Sequence, residues 1–106
     1  VFVNGMLFLS GQASVDFKKS KFILGTIEEE TKRTLDNIKA IVESIGGTMG
    51  DAIKSPVHLS DIKDFDRFNE IYASYFDCII PARTSVQSVL GESIKVEIDI
   101  IFSLSQ

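Results

Sequence analysis

The sequence has few of the residues on which disulfides, metal sites and nucleophilic catalysis depend. Its 106 residues include one cysteine, one histidine and no tryptophan. The lone Cys78 excludes a disulfide within the chain and points to a reducing compartment, which is the cytoplasm or the matrix of an organelle. No motif for a metal, a nucleotide or a catalytic serine is present, so we expect no metal site.

Long apolar runs and an excess of positive charge are also missing. No apolar run approaches the roughly 20 residues of a membrane span, and Val1 to Ser10 lacks the basic region of a signal peptide. Fifteen acidic and eleven basic residues give a net charge of −4, which repels phosphate backbones and argues against nucleic acid as a partner. The only basic cluster is explained better by a solvated loop than by a binding patch, and consists of Lys18, Lys19 and Lys21.

The composition that remains is that of an ordinary globular domain. With 44% hydrophobic and 25% charged residues, we expect residues 1–106 to form one domain with one core. The chain begins with Val1 instead of methionine, so we expect that native N-terminal residues precede it.

The first half of the chain predicts a β-hairpin followed by a helix. Asn4-Gly5 supplies the two positive φ angles of a type I′ turn between two apolar stretches. A loop is expected from about Gln12 to Gly25. Thr26 and Glu29 then form a capping box for a helix that ends at Gly46-Gly47. The apolar stripe of this helix contains Ile27, Thr31, Leu35, Ile38, Ile41, Val42 and Ile45.

The second half predicts a strand, a second helix and two more strands. Ile53, Val57 and Leu59 alternate with polar residues, although Pro56 cannot donate a ladder hydrogen bond. The second helix begins at Asp61 or Asp64 and ends before Pro81. It carries an aromatic stripe that is more typical of a core than of a ligand site and that contains Phe65, Phe68, Ile71, Tyr72, Tyr75 and Phe76. Strands are expected over residues 84–90 and 94–104. The order β-β-α-β-α-β-β predicts an α+β fold, with one sheet covered by two helices on one face.

The last strand predicts that the other face of the sheet is covered by a further copy of the chain. One face is apolar throughout and should pack on the helices; it contains Ile94, Val96, Ile98, Ile100, Phe102 and Leu104. The opposite face has no cover within the chain, yet Ile101, Met6 to Leu9 and Val89 make it too apolar for plain exposure. An oligomer interface with polar groups at its edge would explain this mixture.

Arg83 and Glu97 are the candidate functional residues. Arg83 follows Pro81-Ala82 at the start of a strand, where its planar guanidinium could bind a carboxylate through two hydrogen bonds. Glu97 lies on the polar face of a strand that could pair with it, so a structural salt bridge is the simpler explanation from pattern alone. By the same reasoning His58 is a surface or interface histidine, and Cys78 is a half-buried structural thiol.

Five short segments, taken together, resemble the Rid family, which is also called YjgF-like or endoribonuclease L-PSP. They span nearly the whole chain in the family's order, and Pro-Ala-Arg followed by the glutamate resembles the members that are active deaminases. The segments are Leu9 to Gln12, Thr34 to Ile41, Asp64-Phe65 with Asn69, Pro81 to Arg83, and Lys95 to Ile98.

The resemblance implies a chorismate-mutase-like fold in a homotrimer whose sheets form a central barrel. It implies hydrolysis of 2-imino acids or enamines, such as 2-iminobutanoate and 2-iminopropanoate, to 2-oxo acids and ammonia. Arg83 would bind the substrate carboxylate and Glu97 would activate water, while Ser10, Gly11 and Ser85 would line a pocket between subunits. No cofactor is implied, because an imine carbon is already electrophilic.

The chain departs from the family's pattern at three places. A pocket tyrosine of many members lies upstream of the first hairpin, before this chain begins. Ala13-Ser14 replaces an apolar residue and a proline, which could reshape the pocket mouth, and Ser85 replaces a cysteine. Two other functions stay open: a non-catalytic trimer that binds small carboxylates or a protein, and an endoribonuclease or translation inhibitor, against which the acidic charge argues.

Overall fold

A computed structural model describes residues 1–77 and 80–104. These residues form eight strands and two α-helices. Cys78 lies outside the described residues, so its predicted structural role stays a prediction. The helices are α1 (Ile27–Ser44) and α2 (Phe65–Ala73). The strands are β1 (Phe2–Val3), β2 (Met6–Gln12), β3 (Val15–Asp16), β4 (Lys21–Phe22), β5 (Ala52–Lys54), β6 (Val57–Leu59), β7 (Ser85–Gln87) and β8 (Val96–Ser103).

The main sheet is mixed and is built around β8. Its order is β1-β2-β8-β6-β7, and β5 also pairs with β8. Among the strands of the described residues, β6 and β7 run parallel and the other neighbours in this sheet are antiparallel. Both helices pack on one face of this sheet, and they contact each other. The predicted α+β arrangement of one mixed sheet covered by two helices is therefore confirmed.

The predicted alternation along β8 is confirmed. The six residues assigned to the helix side are all buried, and those between them are half-buried. The buried residues join the α1 stripe and the aromatic residues of α2 in one core. Because the side-chain period of a strand is two, this packing places Glu97, Asp99 and Ile101 on the face that no helix covers.

Local signals at the chain's turns also predict the structure correctly. Asn4 and Gly5 have φ angles of 51° and 77°, as a type I′ turn requires. Thr26 and Glu29 form both hydrogen bonds of the capping box at the start of α1. Gly46, just past the end of α1, has a φ of 89°, which favours glycine. In the part of the chain that the structure describes, no helix is long and apolar enough to cross a membrane.

The prediction that Ile53 lies on the buried face of its strand was wrong. Ala52, and not Ile53, faces the helices: Ala52 is 2% exposed and Ile53 is 46% exposed. A shift in register between Ala52 and Lys54 against β8 causes the change. Pro56 separates β5 from β6, in agreement with its missing N–H.

Three boundaries differ from the prediction because tertiary contacts decide them. The expected loop over residues 12–25 contains a small two-stranded sheet formed by β3 and β4. Helix α2 ends at Ala73, although the aromatic pattern continues to Phe76, which is buried beyond the helix. The strand expected over residues 84–90 is limited to the three residues of β7.

The buried Glu30 connects the start of α1 to the start of β8. Its side chain is fully buried and accepts hydrogen bonds from the backbone N–H groups of Gly25, at 3.1 Å, and Lys95, at 2.8 Å. The Lys95 ammonium lies 3.3 Å from the same carboxylate. Since a buried carboxylate needs such partners, this group fixes the helix against the strand that carries Glu97.

We predict that Glu30→Ala lowers the free energy of unfolding by about 2 to 4 kcal/mol, because two partly buried N–H groups lose their acceptor. Urea denaturation at one protein concentration measures this. Glu43→Ala, at an exposed position of the same helix, is the control and should change little. A loss below about 1 kcal/mol for Glu30→Ala would contradict the role of Glu30 as a connection.

Candidate functional site

The uncovered face of the sheet has an apolar end and a polar end. At the apolar end, Phe8 pairs with Ile101 and Val3 pairs with Met6; Phe8 is 42% exposed and Val3 is 48% exposed. At the polar end, His58 lies opposite Glu97 in the ladder between β6 and β8. The face therefore combines an apolar patch with a group of polar residues, which is the mixture that the sequence predicted for it.

A bulge in β2 brings Gly11 against Glu97. Between Leu9 and Gln12 the register with β8 shifts by one residue, so that Ser10 and Gly11 together face Asp99. Gly11 has a φ of 62°, which favours glycine. A Cβ atom on Gly11 would lie 3.5 Å from Glu97 Oε2. Gly11 is thus brought to Glu97, with Ser10 next to it in the bulge, and the prediction that both residues line a pocket stays a prediction.

The Glu97 carboxylate is half-buried on the uncovered face. Within residues 1–77 and 80–104 it makes no ion pair or side-chain hydrogen bond. It is therefore available to bind a polar ligand or a water molecule. A carboxylate in this state accepts protons and hydrogen bonds, which are the two properties that a general base requires.

Arg83 lies on the aromatic stripe of α2. The central carbon of its guanidinium is 4.6 Å from the ring centre of Tyr72, 5.3 Å from that of Phe65 and 5.7 Å from that of Phe68. These distances are within the range of cation–π attraction. Arg83 makes no ion pair with any other described residue. The rings thus support a half-buried guanidinium whose N–H groups can bind an anion.

Three hydroxyl groups beside Arg83 are buried without a hydrogen-bond partner among the described residues. They belong to Ser55, Tyr72 and Ser85. Burial raises the pKa of Tyr72 above its ordinary value, and the Ser55 hydroxyl and the charge of Arg83 offset part of the rise. The Ser55 hydroxyl is near the Tyr72 hydroxyl, but the two do not meet the distance and angles of a hydrogen bond. Ser85 pairs with the buried Val57, so it faces the helix side of the sheet, and its predicted role beside Arg83 stays a prediction.

The structure does not bring Arg83 and Glu97 together within one chain. Arg83 precedes β7, and β6 lies between β7 and β8, so the strands that could have paired do not. Arg83 contacts α2 on the helix side, whereas Glu97 is on the uncovered face. The structural salt bridge that pattern alone favoured is accordingly not formed between them.

Ala13 and Ser14, which depart from the family's pattern, are both buried. The Ser14 hydroxyl donates to the carbonyl oxygen of Ile23 at 2.8 Å, so it is occupied within the chain. A cleft of about 880 Å³ between α1 and α2, bordered by Lys32, Asp36, Lys39 and Tyr75, contains none of the predicted site residues. Among the described residues, no group of three or more acidic, histidine or cysteine side chains is arranged to hold a metal ion.

Comparison with known proteins gives one consistent result. Residues 1–103 match the family described as endoribonuclease L-PSP. The chain is 44% identical over 100 residues to a RutC family protein of Saccharolobus solfataricus, covering 93% of this chain and 79% of the relative. It is 33% identical over 102 residues to the human 2-iminobutanoate/2-iminopropanoate deaminase, covering 95% and 74% of the two chains.

A solved structure supports the same family assignment. E. coli TdcF with bound serine superimposes with a TM-score of 0.90 at 34% identity, covering 99% of this chain and 85% of that one. The chain belongs to the Rid family, also called YjgF or L-PSP. The family resemblance of the sequence is therefore confirmed, and so is the fold it implied.

Two features of this Rid family chain were not predicted from its sequence as parts of the site. Asp99 was assigned only to the polar face of β8, although its carboxylate accepts a hydrogen bond from the Gly11 N–H at 2.7 Å. The α2 rings were assigned to the core alone, although they also support Arg83. A glycine within a strand pattern is a signal for a bulge, and it could have indicated Asp99 as the opposite residue.

We predict that Tyr72→Phe leaves the free energy of unfolding unchanged or raises it by about 1 kcal/mol at neutral pH, because the lost hydroxyl is buried without a partner. Because the folded-state pKa is raised, the wild-type chain should lose stability as the pH rises above about 10, and part of that loss should disappear in the variant. Urea denaturation midpoints of wild type and variant, at neutral pH and at a pH above about 10, measure both effects.

Tyr75→Phe is the matched control for that prediction. The Tyr75 hydroxyl donates to Asp36 at 2.6 Å, so its removal should destabilise the protein by about 1 kcal/mol. If Tyr72→Phe destabilises the protein as much as the control does, the Tyr72 hydroxyl has a hydrogen bond and the assignment of an unpartnered group is wrong.

Proposed function

We propose that this chain hydrolyses 2-imino acids and their enamine tautomers, including 2-iminobutanoate and 2-iminopropanoate, to 2-oxo acids and ammonia. The observation that carries the proposal is that a Rid family chain holds an arginine and a glutamate, Arg83 and Glu97, at its two candidate positions, and neither has a charged partner among residues 1–77 and 80–104. We place the activity in the cytoplasm or the matrix of an organelle, with no nucleic acid or membrane as a partner.

Arg83 would bind the substrate carboxylate. Its guanidinium is held against the Tyr72 ring at 4.6 Å, which restricts its orientation without using its N–H donors. A planar guanidinium held in this way suits a carboxylate, since two parallel charge-assisted hydrogen bonds can form between them. Serine, found in the related TdcF structure, shares with a 2-imino acid a carboxylate next to a carbon that carries nitrogen.

Glu97 would activate water at the imine carbon. Its carboxylate takes a proton from the water as the oxygen attacks C2 and gives that proton to the imine nitrogen, which forms a carbinolamine. It then moves the proton of the carbinolamine hydroxyl to the amino nitrogen, so that the C–N bond breaks, ammonia leaves and the C=O bond of the 2-oxo acid forms. One water is consumed for each ammonia released, so no redox partner is needed. General acid–base assistance of this kind contributes about 10²- to 10⁴-fold in rate.

The two groups would meet between subunits of a homotrimer. Within one chain they lie on different sides of the sheet, so a substrate that touches both needs a second copy. The apolar end of the uncovered face, with Val3, Met6, Phe8 and Ile101, supports the burial of that face against such copies. Ser10 and Gly11 beside Glu97, and Ser85 beside Arg83, would then line opposite walls of one cleft.

We predict that Arg83→Ala lowers kcat/KM for 2-iminobutanoate by roughly 10²- to 10⁴-fold, through the loss of two charge-assisted hydrogen bonds. Arg83→Lys should recover only part of the lost kcat/KM, because an ammonium cannot form two parallel hydrogen bonds to a carboxylate as a planar guanidinium does. A coupled assay in which a threonine dehydratase supplies the imine measures the rate. Arg33→Ala on the exposed side of α1 is the control, and equal rates for Arg83→Ala and wild type would refute the assignment.

We predict that Glu97→Gln lowers kcat by about 10²- to 10⁴-fold while binding of the product 2-oxo acid is retained. The amide keeps the shape of the side chain but cannot accept the proton. Glu70→Gln, at an exposed position of α2, is the control. Unchanged turnover in Glu97→Gln, with tight 2-oxo acid binding, would indicate a carboxylate-binding protein instead of an enzyme.

We predict that mixed oligomers of Arg83→Ala and Glu97→Gln chains recover activity. In a random mixture of trimers, about one quarter of the sites between subunits combine an intact Arg83 with an intact Glu97. The variants are unfolded, mixed and refolded together, and native mass spectrometry of isotope-labelled chains confirms the exchange. Activity that stays at the level of the separate variants after exchange would contradict a site shared between subunits.

A further inference from the structure

A chain of three polar contacts connects four residues, which lie on or next to four neighbouring strands, beside Glu97. The Ser88 hydroxyl lies 3.0 Å from His58 Nδ1, and His58 Nε2 lies 3.5 Å from Asp99 Oδ2. The other carboxylate oxygen of Asp99 accepts the Gly11 N–H at 2.7 Å. The contacts run from the residue after β7, across β6 and β8, to the bulge of β2.

The bulge makes the Asp99 contact necessary. Where two residues of one strand face one residue of the other, the extra N–H has no ladder partner. Asp99 is the residue that faces Ser10 and Gly11, and its carboxylate supplies the missing acceptor through a short charge-assisted hydrogen bond. The position of Gly11, and hence its approach to Glu97 Oε2, is therefore set by the Asp99 side chain.

His58 fixes the orientation of Asp99. In the ladder it faces Glu97, and its ring leans along the diagonal to Asp99 on the same side of the sheet. Ser88 holds the other ring nitrogen, so the imidazole is fixed from both sides. Two carboxylates of like charge, Glu97 and Asp99, point from alternate positions of one strand. The histidine contacts Asp99 and not Glu97, whose carboxylate has no side-chain partner among the residues that the structure describes.

We propose that Asp99 and His58 are positioning residues, which hold the Ser10–Gly11 bulge against Glu97 and so fix the pocket wall that faces the activated water. The effect on turnover rests on the proposed function. Neither residue contacts the substrate in this assignment: Asp99 acts through the Gly11 backbone, and His58 acts through Asp99.

The test compares two substitutions of Asp99 in the full, assembled protein. Asp99→Ala removes both contacts and should lower kcat roughly 10- to 100-fold, since a misplacement of about 1 Å at a reacting group can cost about 10²-fold, whereas KM should change little. Asp99→Asn keeps a carbonyl oxygen for the Gly11 N–H and should recover kcat to within about 3-fold of wild type. Asp66→Asn, at an exposed position of α2, is the matched control.

Two substitutions of His58 test the second contact. His58→Phe keeps a flat ring but loses both ring nitrogens, and should lower kcat about 3- to 10-fold through a less ordered Asp99. His58→Gln keeps a donor toward Asp99 and should recover most of that loss. A purely structural histidine would show no such difference between variants of equal thermal stability.

The Gly11 amide gives a readout that is independent of turnover. In wild type its N–H should be protected from hydrogen exchange, and the protection should fall at least about tenfold in Asp99→Ala but not in Asp99→Asn. The amides of Ile98 and Ile100 in β8 should keep their protection, which excludes global unfolding. Resonances of glycine-selectively and isoleucine-selectively labelled protein report all three.

The outcomes separate the two proposals. If wild type hydrolyses imines and Asp99→Ala does so at the same rate, or if Gly11 keeps its protection in Asp99→Ala, the positioning role is wrong while the proposed function stands. If wild type hydrolyses no imine although Gly11 depends on Asp99 for protection, both the proposed function and the effect on turnover are overturned. Should Asp99→Ala fail to assemble, the Asp99→Asn and His58 variants decide: equal kcat for His58→Phe and wild type then refutes the proposal.

Discussion

The period-two alternation of β8 is the constraint on which the rest of the structure depends. The strand lies at the centre of the sheet, with β2 on one side and β5 and β6 on the other. Its apolar residues complete the core under both helices, and this fixes Glu97 and Asp99 on the opposite face. A slip of one residue would exchange the two faces, so the burial of the core and the location of the carboxylates are decided together.

The candidate site lies where the pairing of β2 with β8 departs from regularity. A regular ladder would satisfy the backbone groups of Gly11 and would leave Asp99 as another surface acid. The bulge between Leu9 and Gln12 frees an N–H, which Asp99 accepts, and brings Gly11 over Glu97. The bulge is thus held by a side-chain contact as well as by the ladder, and a regular strand would need no such contact.

How far the sequence predicts the molecule depends on whether the signal is local. Caps, the Asn4-Gly5 turn and the β8 alternation rest on neighbours within a few positions, and the structure confirms them. Pairing between distant strands is not a local property. The register of β5 against β8 buries Ala52 and exposes Ile53, and the strand order places β6 between the strands of Arg83 and Glu97. The pattern alone singled out Arg83 and Glu97, and the family resemblance gave their proposed roles, while their arrangement required the register of the sheet.

The placement of Arg83 and Glu97 also limits how the proposed chemistry can work. In a 2-imino acid the carboxylate is bonded directly to the carbon that water attacks, so both protein groups must lie within hydrogen-bond reach of adjacent atoms, about 3 Å. In one chain, Arg83 is held on the α2 rings and Glu97 is on the uncovered face. Moving either group to the other would break the stacking on Tyr72 or the packing of β8. Bringing in a second copy of the chain breaks neither, so under the proposed function catalysis is a property of the assembly.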